Sequence, residues 1–233
     1  MHKTMVITGA SSGVGRAAAL RFAEAGYTVC AVARGAEKLR ALEMENPNRI
    51  TGYPCDVREA TKVSETVEAI LAEWGAVDVL INSAGVTAAG AQTSPEIIDR
   101  VIDTNLKGSM YVTHAVLPSM RANGGGSIFN IASIAGVDIK HDGTDGLYGA
   151  SKHGLVAFSE LIGKKYRRDG ILVTALSPGG IDTPLWSDDN PYPFDPEERI
   201  RPEEVVDLID YILRQPRRTI FKNVIFVPAV EPW

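Results

Sequence analysis

The sequence predicts a single α/β domain built on a doubly wound parallel sheet of about seven strands. Three observations carry this. Short apolar runs alternate with helical patterns from one end of the chain to the other. Several of those runs are continuously apolar, as strands buried on both faces are. No composition break, linker, repeat or low-complexity segment divides the 233 residues, a length that suits one large α/β domain. Strand–helix alternation of this kind implies right-handed βαβ units in one sheet.

The elements follow in order. Strands are read over 3–8 (KTMVIT), 27–33 (YTVCAVA), 50–56 (ITGYPCD), 77–82 (VDVLIN), 126–132 (GSIFNIA), 171–177 (ILVTALS) and 223–228 (NVIFVP). Helical patterns lie between them, among others over 13–25, 59–74, 96–121, 147–167 and 202–214. One segment differs: residues 181–202 carry five prolines, three aromatics and many charges. It reads as a long loop over the domain, and such loops often serve as lids.

Composition excludes several functions. Twenty-four basic and 29 acidic side chains give a net charge of −5, which offers nothing to nucleic acid or an anionic membrane. No run of roughly 18 apolar residues occurs, so no transmembrane helix is expected. The first apolar run, MVIT, passes straight into a glycine turn, so no secretory signal is expected. Cys30 and Cys55 fall in strands and read as small buried side chains. The four histidines show no metal-ligand spacing, and no metal site is predicted. A cytoplasmic protein is expected.

The chemistry begins at residues 8–15, TGASSGVG, which follow the first strand and open the first helix. Gly9 suits a tight turn, Gly13 a close backbone approach to a pyrophosphate, and Gly15 close helix–sheet packing. Ser11, Ser12 and Val14 complete the turn. The helix N-terminus then offers N–H groups and a positive dipole end to phosphate, so a Rossmann-like nucleotide site is expected. An acid after the second strand would bond the 2′-hydroxyl of NAD, but Arg34 stands there. Arginine pairs with a 2′-phosphate through two N–H bonds, so NADP(H) is preferred, with NAD(H) as the alternative.

Residues 148–152, YGASK, put Tyr148 and Lys152 one helical turn apart on one face. With the glycine turn, this motif makes the chain resemble the short-chain dehydrogenase/reductase family over nearly its whole length. The other motifs follow in order: Asp56 after the third strand, Asn82 to Gly85 (NSAG), Asn105 in DTNLKG, Ser133 in NIASIAG, and PGGIDT over 178–183. Ser83 departs from the second asparagine common in the family. The C-terminal stretch is similar to a subgroup of reductases acting on small hydroxy acids and related alcohols.

The resemblance implies a role for each residue. Tyr148 would be the general acid–base, Lys152 would lower its pKa and bond the nicotinamide ribose, and Ser133 would hold the substrate oxygen. Asn105 would support a water chain from Lys152. Asp56 would accept from the adenine amino group beside Val57. Asn82, Ala84 and Gly85 would line the cofactor. Pro178, Gly179, Ile181 and Thr183 would contact the nicotinamide. Structural alternatives stand beside these: a cap for Ser133, a buried amide for Asn105, a helix cap for Asp56 and a turn start for Thr183. Leu185 and Trp186, with Tyr192 and Phe194, are candidate substrate contacts from the lid. The segment between Ser133 and Tyr148 would form one wall of the substrate pocket, where His141, Asp142 and Asp145 would touch a polar or cationic group, with a solvated loop as the alternative. The expected partner is a small carbonyl or alcohol. A homo-oligomer, dimer or tetramer, is expected through the helices near 96–121 and 147–167. The alternative function is a non-catalytic NADP(H) sensor on the same fold.

Overall fold

A computed structural model describes residues 3–87, 93–138, 146–186 and 194–231. Seven strands form one parallel sheet in the order β3-β2-β1-β4-β5-β6-β7. They are β1 (Thr4–Thr8), β2 (Thr28–Ala33), β3 (Ile50–Pro54), β4 (Val79–Asn82), β5 (Gly126–Ile131), β6 (Ile171–Pro178) and β7 (Asn223–Phe226). The helices are α1 (Gly13–Glu24), α2 (Ala36–Glu45), α3 (Ala60–Trp74), α4 (Pro95–Ile102), α5 (Ser109–Ala122), α6 (Leu147–Tyr166) and α7 (Pro202–Arg214). The expected architecture is therefore present.

Strand alternation sorts the core into two layers. On β1, Met5 and Ile7 face α1, α2 and α7, where Phe22, Leu39 and Ile209 are buried with them. Val6 faces the other side, against α3, α5 and α6, with Ile70, Met120 and Leu155. Because both faces are covered, every residue of β1 and β2 is buried. The strand order reverses direction between β1 and β4, and a crevice opens there at the carboxyl ends of the strands.

Two expectations change. The helix predicted over 96–121 is two helices, joined by a π-helical segment, Asp103–Gly108. Apolar periodicity does not register one extra residue per turn. The predicted strand over 77–82 hydrogen-bonds as a strand only from Val79; Val77 N–H instead donates to Ser119 Oγ at 3.3 Å. Of the lid, Ile181 and Ile200 form a parallel bridge, and Pro196–Glu198 makes one 3₁₀ turn. Tyr192, His141, Asp142 and Asp145 lie outside the described residues.

Candidate active site

The crevice is a cavity of about 780 Å³. The glycine turn, Arg34 and Asp56 line one end, and Ser133, Tyr148, Lys152, Leu185 and Trp186 line the other. Ala84 and Gly85 lie between, and Pro178, Gly179, Ile181 and Thr183 close the wall across from them. Of the described residues expected at the site, four do not line the cavity: Gly15, Asn82, Asn105 and the lid residue Phe194.

The phosphate end is shaped by backbone. Gly9 adopts a left-handed φ of +67°, and a Cβ there would lie 2.8 Å from Ala84 N. Only glycine lets the turn after β1 approach the turn after β4 this closely. Thr8 ties the same two turns from the side, since its Oγ1 accepts from Ser83 N and Ala84 N at 3.1 and 3.2 Å. Gly15 packs its helix onto the Gly9 carbonyl. Ser12 begins α1 with no side-chain bond to the first turn, which leaves the amide end of the helix to an anion.

Arg34 is exposed at this end and has no ion pair among the described residues. Asp56 is held by Arg58, whose Nη2 lies 2.6 Å and Nε 3.0 Å from its carboxylate, with Arg58 N–H adding a third bond at 3.0 Å. The Arg58 bonds hold the Asp56 carboxyl below its ordinary value, and the Arg34 charge adds to this. Glu59, not Asp56, occupies the N-cap position of α3.

The reaction end is shaped by side chains of α6. Lys152 is buried, and its Nζ donates to Ile131 O at 2.8 Å. The ammonium lies 5.5 Å from the centre of the Tyr148 ring. Ser133 starts a 3₁₀ turn, Ile134–Gly136, and its Oγ accepts from Ala135 N at 3.2 Å. That turn sits directly on α6: a Cβ on Gly136 would lie 2.7 Å from the Lys152 carbonyl carbon. This contact brings Ser133 to the cavity beside Tyr148 and Lys152.

Asn105 works from behind. Its Oδ1 accepts from Val86 N at 2.8 Å, and its Nδ2 donates to Val86 O at 2.9 Å and Ser151 Oγ at 3.0 Å. Ser151 in turn donates to Tyr148 O at 2.7 Å. Asn82, expected to line the cofactor, is buried in a polar cluster instead: its Nδ2 donates to Asn130 Oδ1 at 2.8 Å and Thr113 Oγ1 at 3.0 Å. Thr183 makes a turn, with its carbonyl accepting from Trp186 N at 3.1 Å, and Trp186 Nε1 donates to Ile181 O at 2.8 Å. Sequence reasoning quoted Thr8 in the glycine motif without a role for its hydroxyl, and missed Arg58 and Glu231, the last a cavity residue from the C-terminal tail. No spacing signal marks a side chain that meets the site only through the tertiary fold.

Among the described residues no group of three metal-ligating side chains occurs, and no helix is long and apolar enough to cross a membrane.

Comparison with known proteins is consistent with this layout. A family model described as short chain dehydrogenase matches residues 3–192. An uncharacterized oxidoreductase of Staphylococcus saprophyticus is 33% identical over 233 residues, covering 97% of each chain. One of Staphylococcus epidermidis is 30% identical over 232 residues, covering 98% of each. Among solved structures, an actinorhodin polyketide ketoreductase variant with NADPH aligns with a TM-score of 0.86 at 31% identity, over 97% of this chain and 95% of that one. Serine dehydrogenase complexed with NADP+ gives 0.89 at 28% identity, over 99% and 96%. A 3-ketoacyl-(acyl-carrier-protein) reductase of Brucella melitensis complexed with NADH gives 0.88 at 25% identity, over 97% of both.

Burial lowers Lys152 from 10.5 to about 8. Between these values the unfolded chain binds more protons than the folded one, so stability rises with pH across the window and is lost again as pH falls through about 8. Replacing the ammonium by an apolar chain, Lys152→Met, removes this dependence. The expected outcome is that wild type gains on the variant between pH 8 and 10.5, by on the order of 3 kcal/mol at most. Denaturant titrations near pH 7 and near pH 10 measure it, and a difference that ignores pH would contradict the burial argument.

Proposed function

The chain belongs to the short-chain dehydrogenase family, and on that premise we propose that it interconverts a ketone or aldehyde with its alcohol, using NADP(H). The carrying observation is that Tyr148, Lys152 and Ser133 share one cavity with the glycine turn and Arg34. The fit to a dinucleotide rests on the turn itself: Gly9 and Gly13 line the cavity at positive φ, and Ser12 leaves the start of α1 without a side-chain cap. A bound nicotinamide would supply the hydride chemistry.

The chain's own residues would do the rest. Ser11, Ser12, Gly13 and Val14 would hold the pyrophosphate at the start of α1. Arg34 would take the 2′-phosphate, which favours NADP(H) over NAD(H). The relatives solved with NADPH and NADP+ support this, and the one solved with NADH keeps NAD(H) as the weaker alternative. Asp56 and Val57 would bound the adenine. Ala84 and Gly85 would flank the ribose, and Pro178, Gly179, Ile181 and Thr183 the nicotinamide.

In the direction of reduction, Tyr148 Oη would give its proton to the carbonyl oxygen. A free phenol titrates near 10. A cation held beside a phenol favours the phenolate that remains, and Lys152, 5.5 Å from the Tyr148 ring centre, would play that part. Ser133 would donate to the same oxygen, where charge develops. Asn105 would hold Val86 and Ser151 and support the water route from Lys152. Leu185 and Trp186, at the start of the 181–202 lid, would cover the substrate. The name of the neighbouring serine dehydrogenase supports a small polar alcohol or its ketone as substrate. We also infer a cytoplasmic location and, separately, a homo-oligomer, in which Leu161 on α6, 65% exposed, would be covered.

A panel of ketones, aldehydes and 3-oxo acids with NADPH, followed by loss of cofactor absorbance, tests the reading; no turnover of any member with either nicotinamide would end it. Given a substrate, Tyr148→Phe should lower kcat by roughly a hundredfold or more while NADPH still binds. Arg34→Ala should raise the KM for NADPH by roughly ten- to a hundredfold and leave that for NADH within about twofold. Equal losses for both cofactors would remove Arg34 from phosphate binding. Light scattering should report at least twice the 25.1 kDa chain mass, and a stable monomer would refute self-association.

A further inference from the structure

We infer that Glu231, in the C-terminal tail, is a positioning residue of the cofactor site: its carboxylate straps the Pro178–Ile181 turn. The inference rests on the cofactor reading above, because that turn is the one assigned to the nicotinamide.

The tail does not leave the sheet after β7. Gly179 N–H donates to Phe226 O at 2.8 Å, which carries the pairing one residue beyond β6. The chain then reverses, with Glu231 N–H donating to Pro228 O at 3.0 Å. Four residues closed by such a bond form a β-turn. The reversal returns the Glu231 side chain over the end of β6. There Oε2 accepts from Gly180 N–H at 3.2 Å. The carboxylate also lies where a Cβ of Gly179 would be, and Pro228 Cδ would stand 2.8 Å from that Cβ. The absence of a side chain at 179 is what admits the glutamate.

The Gly180 peptide is gripped from its other side as well. Its carbonyl accepts from Ile200 N–H at 3.0 Å, and Asp182 N–H donates to Ile200 O at 2.8 Å. One peptide of the cavity wall is thus bonded to the tail through its N–H and to the far end of the lid segment through its oxygen. A Gly–Gly pair has little conformational preference of its own. A bond to a charged acceptor supplies what the backbone lacks.

Titration of NADPH, read by nicotinamide fluorescence, compares wild type, Glu231→Ala and Glu231→Gln. Alanine removes the acceptor; glutamine keeps an acceptor and drops the charge. The alanine variant should bind NADPH roughly tenfold more weakly and the glutamine variant within about twofold of wild type. Hydrogen exchange of the peptide containing Gly180 should quicken in the alanine variant and stay slow with glutamine. Unchanged NADPH binding in the alanine variant overturns the strap, and so does a glutamine variant that exchanges as fast as alanine. If the alanine variant fails to fold, exchange in the glutamine variant decides alone: slow supports the strap, fast overturns it. A wild type that binds no NADPH would instead fail the cofactor reading, while exchange at Gly180 would still report on the strap.

Discussion

The site depends on the burial of one ammonium group. Lys152 sits inside the protein, and among the described residues its Nζ hydrogen-bonds one group, the carbonyl of Ile131. Withdrawing a cation from water is costly, so the surroundings must close tightly to keep it there. Gly136 does so by lacking a side chain, which lets the Ser133 turn touch the α6 backbone at Lys152. The benefit is local. In low dielectric the charge acts strongly on whatever stands beside it, and the Tyr148 ring is what stands there.

A cation held that way needs its helix fixed in register, and the polar groups behind the cavity fix it. Asn82 on β4 donates to Asn130 on β5, and Asn130 Nδ2 donates to Ser159 on α6 at 2.7 Å. Ser159 donates to Leu155 O within the same helix. Asn105 on the π-helical segment reaches α6 through Ser151. Buried groups bonded in this manner admit one alignment and penalise others. Sliding α6 by a residue would break both links and move Tyr148 and Lys152 off the cavity.

Most of the frame was legible from local pattern. The strands, the glycine turn and the Tyr148–Lys152 spacing are each encoded within a few residues; all seven strands are present, with ends that shift by one or two residues, β4 starting only at Val79. What stayed hidden is long-range. Asn82 reads as a cofactor contact because it adjoins Ala84 and Gly85, yet its strand position turns it into the core beside Asn130. Arg58 claims Asp56 through side-chain reach that spacing does not specify. The π-helical segment costs one residue of register, too small a change for amphipathic periodicity to show. Glu231 meets Gly180 across 51 residues of chain, and no local signal survives that separation.

The two ends of the cavity are built by different means, and this bears on how substrate range could change. At the phosphate end the shape is backbone: a left-handed Gly9, the Thr8 bonds and the bare start of α1. A side chain added at Gly9 collides with the Ala84 backbone, so that end tolerates little variation. At the reaction end the contacts are side chains from separate segments, Ser133 after β5, Tyr148 on α6 and Trp186 past β6. Such side chains can be exchanged without moving the sheet. Selection for a new substrate would therefore act on the Ser133–Tyr148–Trp186 end and leave the glycine-turn end as it is, which is how one scaffold supports different substrates.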